Sequence, residues 1–177
     1  MARTEYLLEE QVKLVLAALM PSNRLACEVS LHTGLRIGDV LALKTEDIKP
    51  RFWVTEAKTG KRKMVGLPDH LRRDLLAQAG KTYVFENRLD PEKHRTRQAV
   101  WADVKRAEKA FRLRQNIGPH SFRKDYAVYL MRKYGNIDKV KKALNHGSTA
   151  TTMIYAMADA MLMQQHARRI QRQSMKH

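Results

Sequence analysis

The chain has 177 residues, 44% of them hydrophobic, enough for one domain with its own core and with no need of a second. Lys and Arg total 34 against 18 acidic residues, a formal charge of +16 that points to a polyanionic partner rather than to an acidic or apolar one. The single cysteine, Cys27, excludes an intramolecular disulfide, and no run of about 18 apolar residues suggests a membrane span, so the expectation is a soluble cytoplasmic protein with a buried, reduced thiol.

In chain order, Leu8, Val12, Val15, Leu16 and Leu19 share one helical face between Tyr6 and Met20, and Pro21 ends that run. Ser22 or Asn23 is expected to cap a second helix to about Thr33, with Gly34 as its left-handed exit and Arg36 at the turn beyond. Residues 38–43 suit a short helix. Residues 48–55, with Phe52, Trp53 and Val54, read as a strand, Lys58-Thr59-Gly60 as a hairpin turn, and 64–67 as the returning strand before Pro68. A helix over 70–79 follows, and Tyr83-Val84-Phe85 is expected to add a third short strand.

Thr96 is expected to cap a longer helix that buries Val100, Trp101, Val104, Ala107 and Phe111. A helix over 121–134 places Phe122, Tyr126, Tyr129 and Leu130 on its apolar face. A short helix over 137–144 then leads to the Asn145-His146-Gly147 loop, Ser148 or Thr149 caps a segment holding Tyr155, and 158–172 reads as a final helix. The fold class is α+β, a mainly helical single domain with a small three-stranded antiparallel sheet.

The charge is unevenly placed. Between Lys49 and Arg73 eight basic residues face only Glu56 and Asp69, a surplus of six; a solvated face is the plain alternative, and nucleic acid fits better. Lys61, Arg62 and Lys63 on the hairpin, with Lys124, are the expected DNA contacts.

The reactive residues suit phosphodiester chemistry. In-line attack on a phosphodiester needs cations on the nonbridging oxygens and a proton for the leaving oxygen. The acidic residues show no metal-site clustering and the seven histidines no His-x-x-x-His spacing, so no metal or other cofactor is expected and side-chain cations must serve. His120 and Arg123, three apart at a helix start, can face one side, where free amides also favour a phosphate; surface or capping roles are the alternative. Arg36 lies at a turn with Asp39 one helical step away to orient it; a surface salt bridge is the alternative. Lys58 could reach a leaving oxygen or simply anchor a phosphate. Tyr155 has apolar neighbours, so a packed aromatic competes with a nucleophile.

Five motifs occur together in order: Thr33-Gly34-Leu35-Arg36 with Asp39, Lys58-Thr59-Gly60, His120-x-x-Arg123, Leu144-Asn145-His146, and Tyr155 nine residues later. In these the chain resembles the catalytic domain of tyrosine recombinases, the phage-integrase family. The resemblance implies that Tyr155 attacks the scissile phosphate to give a 3′-phosphotyrosyl link and a free 5′-hydroxyl. It implies that Arg36 and Arg123 hold the nonbridging oxygens, Lys58 protonates the 5′-oxygen, His120 assists proton transfer at the tyrosine, His146 hydrogen-bonds the phosphate, and Asp39 supports the site from behind. Its implied partners are double-stranded DNA at attachment or recombination sites, further copies of the chain in a tetrameric synapse passing through a Holliday junction, and accessory DNA-bending proteins, in a bacterial cell or the host of a phage or mobile element.

The chain departs from the family pattern in having Asn145 where glycine is frequent, a substitution that asparagine's tolerance of left-handed backbone allows, Lys124-Asp125 where histidine-threonine is frequent, and Ala156 after the tyrosine. Relatives also carry an N-terminal helical DNA-clamping domain, absent here, so an excised catalytic domain is favoured over a naturally minimal protein. The tail over 158–177 is expected to dock on its own domain or on a neighbouring protomer. A type IB topoisomerase shares the chemistry, but the spacing and hairpin favour a recombinase. A non-cleaving DNA-binding module on the same scaffold is disfavoured by the complete residue set, and a general RNA- or DNA-binding protein by the lack of RNP aromatics and zinc-finger spacing.

Overall fold

The computed structural model describes Glu5 and residues 7–145; the expectations for His146, for Tyr155 and for the tail over 158–177 lie outside the described residues. The chain divides into two compact units, Met1–Tyr126 and Ala127–His177, and helix α6 (Pro119–Tyr134) runs across the division.

The first unit is built round α2 (Pro21–Thr33), which packs against α1 (Glu9–Ala18), α3 (Ile37–Leu41), α4 (Asp69–Gln78) and α5 (Arg97–Ala110). Its apolar positions explain why: Leu25, Ala26, Cys27 and Val29 are all buried, and they meet Val12, Val15 and Leu16 of α1, Leu71 and Leu75 of α4, and Val100, Val104 and Ala107 of α5 in one core. Each large aliphatic side chain removed from water there contributes about 1.5–3 kcal/mol. Burial, helped by the nearby Asp103 and Glu28 charges, pushes the Cys27 thiol up, so it stays protonated.

The start of α2 differs from the expectation. Pro21 opens the helix rather than only ending the previous one, because its fixed φ suits the first helical position. Asn23 is therefore inside the helix, and the cap comes from α5: Asp103 accepts hydrogen bonds from the Met20 amide and the Asn23 side chain, both at 2.8 Å. The end of α2 follows the sequence. Gly34 has φ +67°, and its amide closes on Ser30 at 2.8 Å. The Ser30 hydroxyl bonds the Leu35 carbonyl at 2.8 Å and the Leu35 amide bonds Thr33 Oγ1 at 3.2 Å, so the turn before Arg36 is braced on both sides.

Among the described residues the sheet has two strands rather than three: β1 (Arg51–Thr55) and β2 (Arg62–Gly66) pair antiparallel, with Trp53 opposite Met64 and Thr55 opposite Arg62. Phe52, Val54 and Val65 face the core, while Trp53 and Met64 lie exposed on the outer face. The segment 83–85 is reduced to a single bridge from Tyr83 to Lys44: the Leu43 amide that would extend the pairing closes on the Val40 carbonyl, and the Val84 carbonyl accepts from the Gln78 side chain. On α5, Thr96 caps through a hydrogen bond from the Ala99 amide at 3.2 Å, as its position suggests. Trp101 and Phe111, however, are exposed: the buried stripe is Val100, Asp103, Val104 and Ala107, Trp101 lies a third of a turn round from Val100, and the helix ends before Phe111.

The second unit contains the later turns of α6, with Ala127, Val128 and Leu130 buried, and α7 (Ile137–Ala143). Tyr129, expected on the apolar face, is exposed, and the Lys133 ammonium lies over the Tyr129 and Tyr134 rings. Asn136 caps α7 by accepting from the Asp138 and Lys139 amides. Asn145 has φ +52°, the left-handed geometry anticipated for an asparagine in a glycine position. Among the described residues no helix is long and apolar enough to cross a membrane.

Candidate active site

Arg36 leaves the braced exit of α2, and its Nη1 lies 2.8 Å from Oε2 of Glu56, whose side chain is wholly buried at the end of β1. Arg123, on the second turn of α6 and itself buried, approaches the other oxygen of the same carboxylate: its Nη1 is 3.5 Å from Glu56 Oε1 and donates to the Gly34 carbonyl at 2.6 Å. One carboxylate therefore stands between two guanidiniums drawn from distant parts of the sequence.

A third cation joins them. Lys63 of β2 turns inward, its Nζ 2.5 Å from the Thr33 carbonyl and 5.4 Å from the centre of the Tyr126 ring. Burial and the field of Arg123 push its ammonium down to about 8, with Glu56 opposing and Arg36 adding to the shift. Arg36 and Arg123 thus share one carboxylate, and Lys63 lies near enough to feel all three charges, a local excess of positive charge that favours an anion.

The hairpin turn between β1 and β2 is fixed to this cluster. Asp39 accepts from the Ala57 amide at 3.0 Å, and Thr59 donates its hydroxyl to Glu56 Oε2 at 2.9 Å. The turn between those two anchors presents Lys58 with an exposed side chain, and Lys61 and Arg62 are exposed just beyond. Asp39 was expected to orient Arg36. It anchors the Lys58 turn instead, and Glu56 pairs with the arginine, because Asp39 is buried on α3 with the turn amide in reach.

His120 is exposed on the first turn of α6, while Arg123, three residues on, is buried. Two expected DNA contacts need correction. Lys124 is only 8% exposed, in a buried stretch from Ser121 to Asp125, and Lys63 points into the site because it shares strand parity with the inward Val65. The structure therefore brings Arg36 and Arg123 together on Glu56, with Lys63 beside them and Asp39 holding the turn from which Lys58 projects; Glu56 and Lys63 are charges that the sequence places on the surface. A signal for Glu56 was available: positions 52, 54 and 56 alternate inward, so its carboxylate follows two core residues.

The arrangement of helices round a hairpin is the fold of solved site-specific recombinases. The XerH recombinase on a palindromic difH substrate, a post-cleavage complex, superposes with a TM-score of 0.72 at 23% identity, over 93% of this chain and 52% of that one. A lambda integrase tetramer bound to a Holliday junction gives 0.71 at 20% identity, over 88% and 48%. Residues 5–174 match the phage integrase family, and a tyrosine recombinase of Thermosipho africanus is 32% identical over 162 residues, 85% of this chain and 56% of that protein. The chain belongs to the phage integrase family. It spans about half the length of the curated relatives it matches first.

Proposed function

We propose that this chain is the catalytic domain of a site-specific DNA recombinase that cleaves and rejoins strands without a metal. The observation that carries the reading is the convergence of Arg36 and Arg123 on one point beside the turn that holds Lys58. Two guanidiniums there can take the nonbridging oxygens of a phosphodiester and stabilise the extra charge of the transition state. The Tyr155 oxygen bonds to phosphorus as the bond to the 5′-oxygen breaks. The leaving oxygen takes its proton from Lys58, His120 assists removal of the phenol proton, and His146 donates a hydrogen bond to the phosphate. A 5′-hydroxyl of a partner strand then attacks the 3′-phosphotyrosyl link and releases Tyr155, so bond energy is conserved.

Further copies of the chain complete the reaction. The tetramer of lambda integrase on a Holliday junction supports a tetrameric synapse on double-stranded DNA; in this reading DNA-bending proteins assist, and the tail over 158–177 docks in cis or in trans. A DNA-clamping domain supplied beside this chain would grip the opposite face of the duplex, in keeping with relatives of which this chain spans about half the length. The DNA substrate and the buried thiol of Cys27 support action in the cytoplasm of a bacterial cell or phage host.

The test is a pool of nicked suicide duplexes with randomised core sequence, incubated with the chain and with a version fused to a clamping domain, then run on a denaturing gel. A covalent protein–DNA band from wild type and none from Tyr155→Phe is expected. Absence of any band from both wild-type forms overturns the proposal. With Lys58→Ala, a substrate whose leaving 5′-oxygen is replaced by sulfur should restore the band, because a thiolate leaves without a proton; failure of rescue removes Lys58 as the acid.

A further inference from the structure

Glu56 occupies a position that an acidic residue seldom takes. It follows Phe52 and Val54 on the inward side of β1, and its side chain is wholly buried, where an unpaired carboxylate would be strongly disfavoured. Its partners are all parts of the site: Arg36 at 2.8 Å and the Thr59 hydroxyl at 2.9 Å on Oε2, and Arg123 at 3.5 Å from Oε1. The backbone of the same residue shapes the turn, donating to the Lys61 carbonyl at 2.9 Å and accepting from the Gly60 amide at 2.8 Å. Burial works to raise its carboxyl, but the hydrogen bonds from Arg36 and Thr59 and the fields of Arg36 and Arg123 outweigh that and hold it below the usual range, so it is an anion at neutral pH.

We propose that Glu56 is a positioning residue for strand cleavage: its buried carboxylate sets the spacing of Arg36 and Arg123 and ties both to the turn carrying Lys58. The inference rests on the recombinase reading and deepens it. Aligning two like-charged guanidiniums without an anion between them is unfavourable, and the scissile phosphate is absent until DNA binds. Glu56 supplies that anion beforehand, so the arginines meet the phosphate already oriented. The arrangement trades binding for rate. The carboxylate lowers the positive charge offered to DNA while fixing the geometry that the transition state needs.

A role confined to folding and a positioning role differ in what Glu56→Gln does. Positioning predicts that the variant binds the nicked-duplex pool as tightly as wild type or more tightly, while its single-turnover rate of covalent-complex formation falls on the order of 10- to 100-fold. Glu56→Asp should recover part of that rate. Thr59→Val, which removes the hydroxyl that ties the turn to Glu56, should slow cleavage of the ordinary substrate and lose less on the 5′-sulfur substrate, since its fault lies in placing Lys58. Circular dichroism and a urea midpoint show whether Glu56→Gln is folded; if it is not, Glu56→Asp and Thr59→Val carry the same test. A wild-type rate in Glu56→Gln, or a faster one, overturns the positioning role and leaves the recombinase reading standing. No covalent complex from wild type overturns both.

Discussion

Lys63 shows how one strand position changes a residue's work. Read as part of the basic run 61–63 it is a surface charge, yet it alternates inward with Val65 and rests on the Thr33 carbonyl. Its ammonium, pushed down to about 8 from the ordinary 10.5, carries less proton in the folded chain than in the unfolded chain between those values. Stability should therefore rise with pH across that window, by up to about 1.4 kcal/mol per unit, and the penalty should be complete below it. Urea midpoints of wild type against Lys63→Met measure this, and the rise should vanish in the variant. Arg36, Lys58 and Arg123 were legible because short motifs mark them. For Glu56 and Lys63 the sequence carries at most strand parity, since the contacts that define their roles join segments 20 to 67 residues apart.

At the scale of elements, the exit of α2 decides where three cations stand. The Thr33 carbonyl holds Lys63, the Gly34 carbonyl holds Arg123, and Arg36 follows directly. Gly34 reaches φ +67°, where a side chain costs about 1–2 kcal/mol, so Gly34→Ala should lower the urea midpoint by that amount and slow covalent-complex formation more than loss of fold alone explains. Helix periodicity and turn residues made α2, α5 and the hairpin readable in the sequence. Periodicity failed where a partner from elsewhere intervened. Asp103 of α5 caps α2 in place of Ser22 or Asn23, and the Gln78 side chain takes the Val84 carbonyl that a third strand would have needed.

For the molecule as a whole, charge and covalent chemistry answer different questions. A formal charge of +16 favours contact with the DNA backbone, so affinity should fall steeply with salt, and Lys61→Ala should reduce the log–log salt slope by about one, as measured by filter retention at several salt concentrations. A slope unchanged by that substitution removes Lys61 from the interface. The family and its order of motifs are legible in the amino-acid sequence, because Thr33 to Arg36, Lys58, His120 and Arg123 fall at fitting intervals, whereas the contacts that join Arg36 and Arg123 through Glu56 belong to the folded chain alone. The central claim is the identity of the covalent link. Covalent complexes recovered from the suicide duplexes, trimmed with nuclease and trypsin, can be read by mass spectrometry while the released DNA end is tested for labelling by a polynucleotide kinase. The account predicts a nucleotide phosphate on Tyr155 and a 5′-hydroxyl that accepts label; attachment at another residue, or a released end bearing a 5′-phosphate, would contradict it.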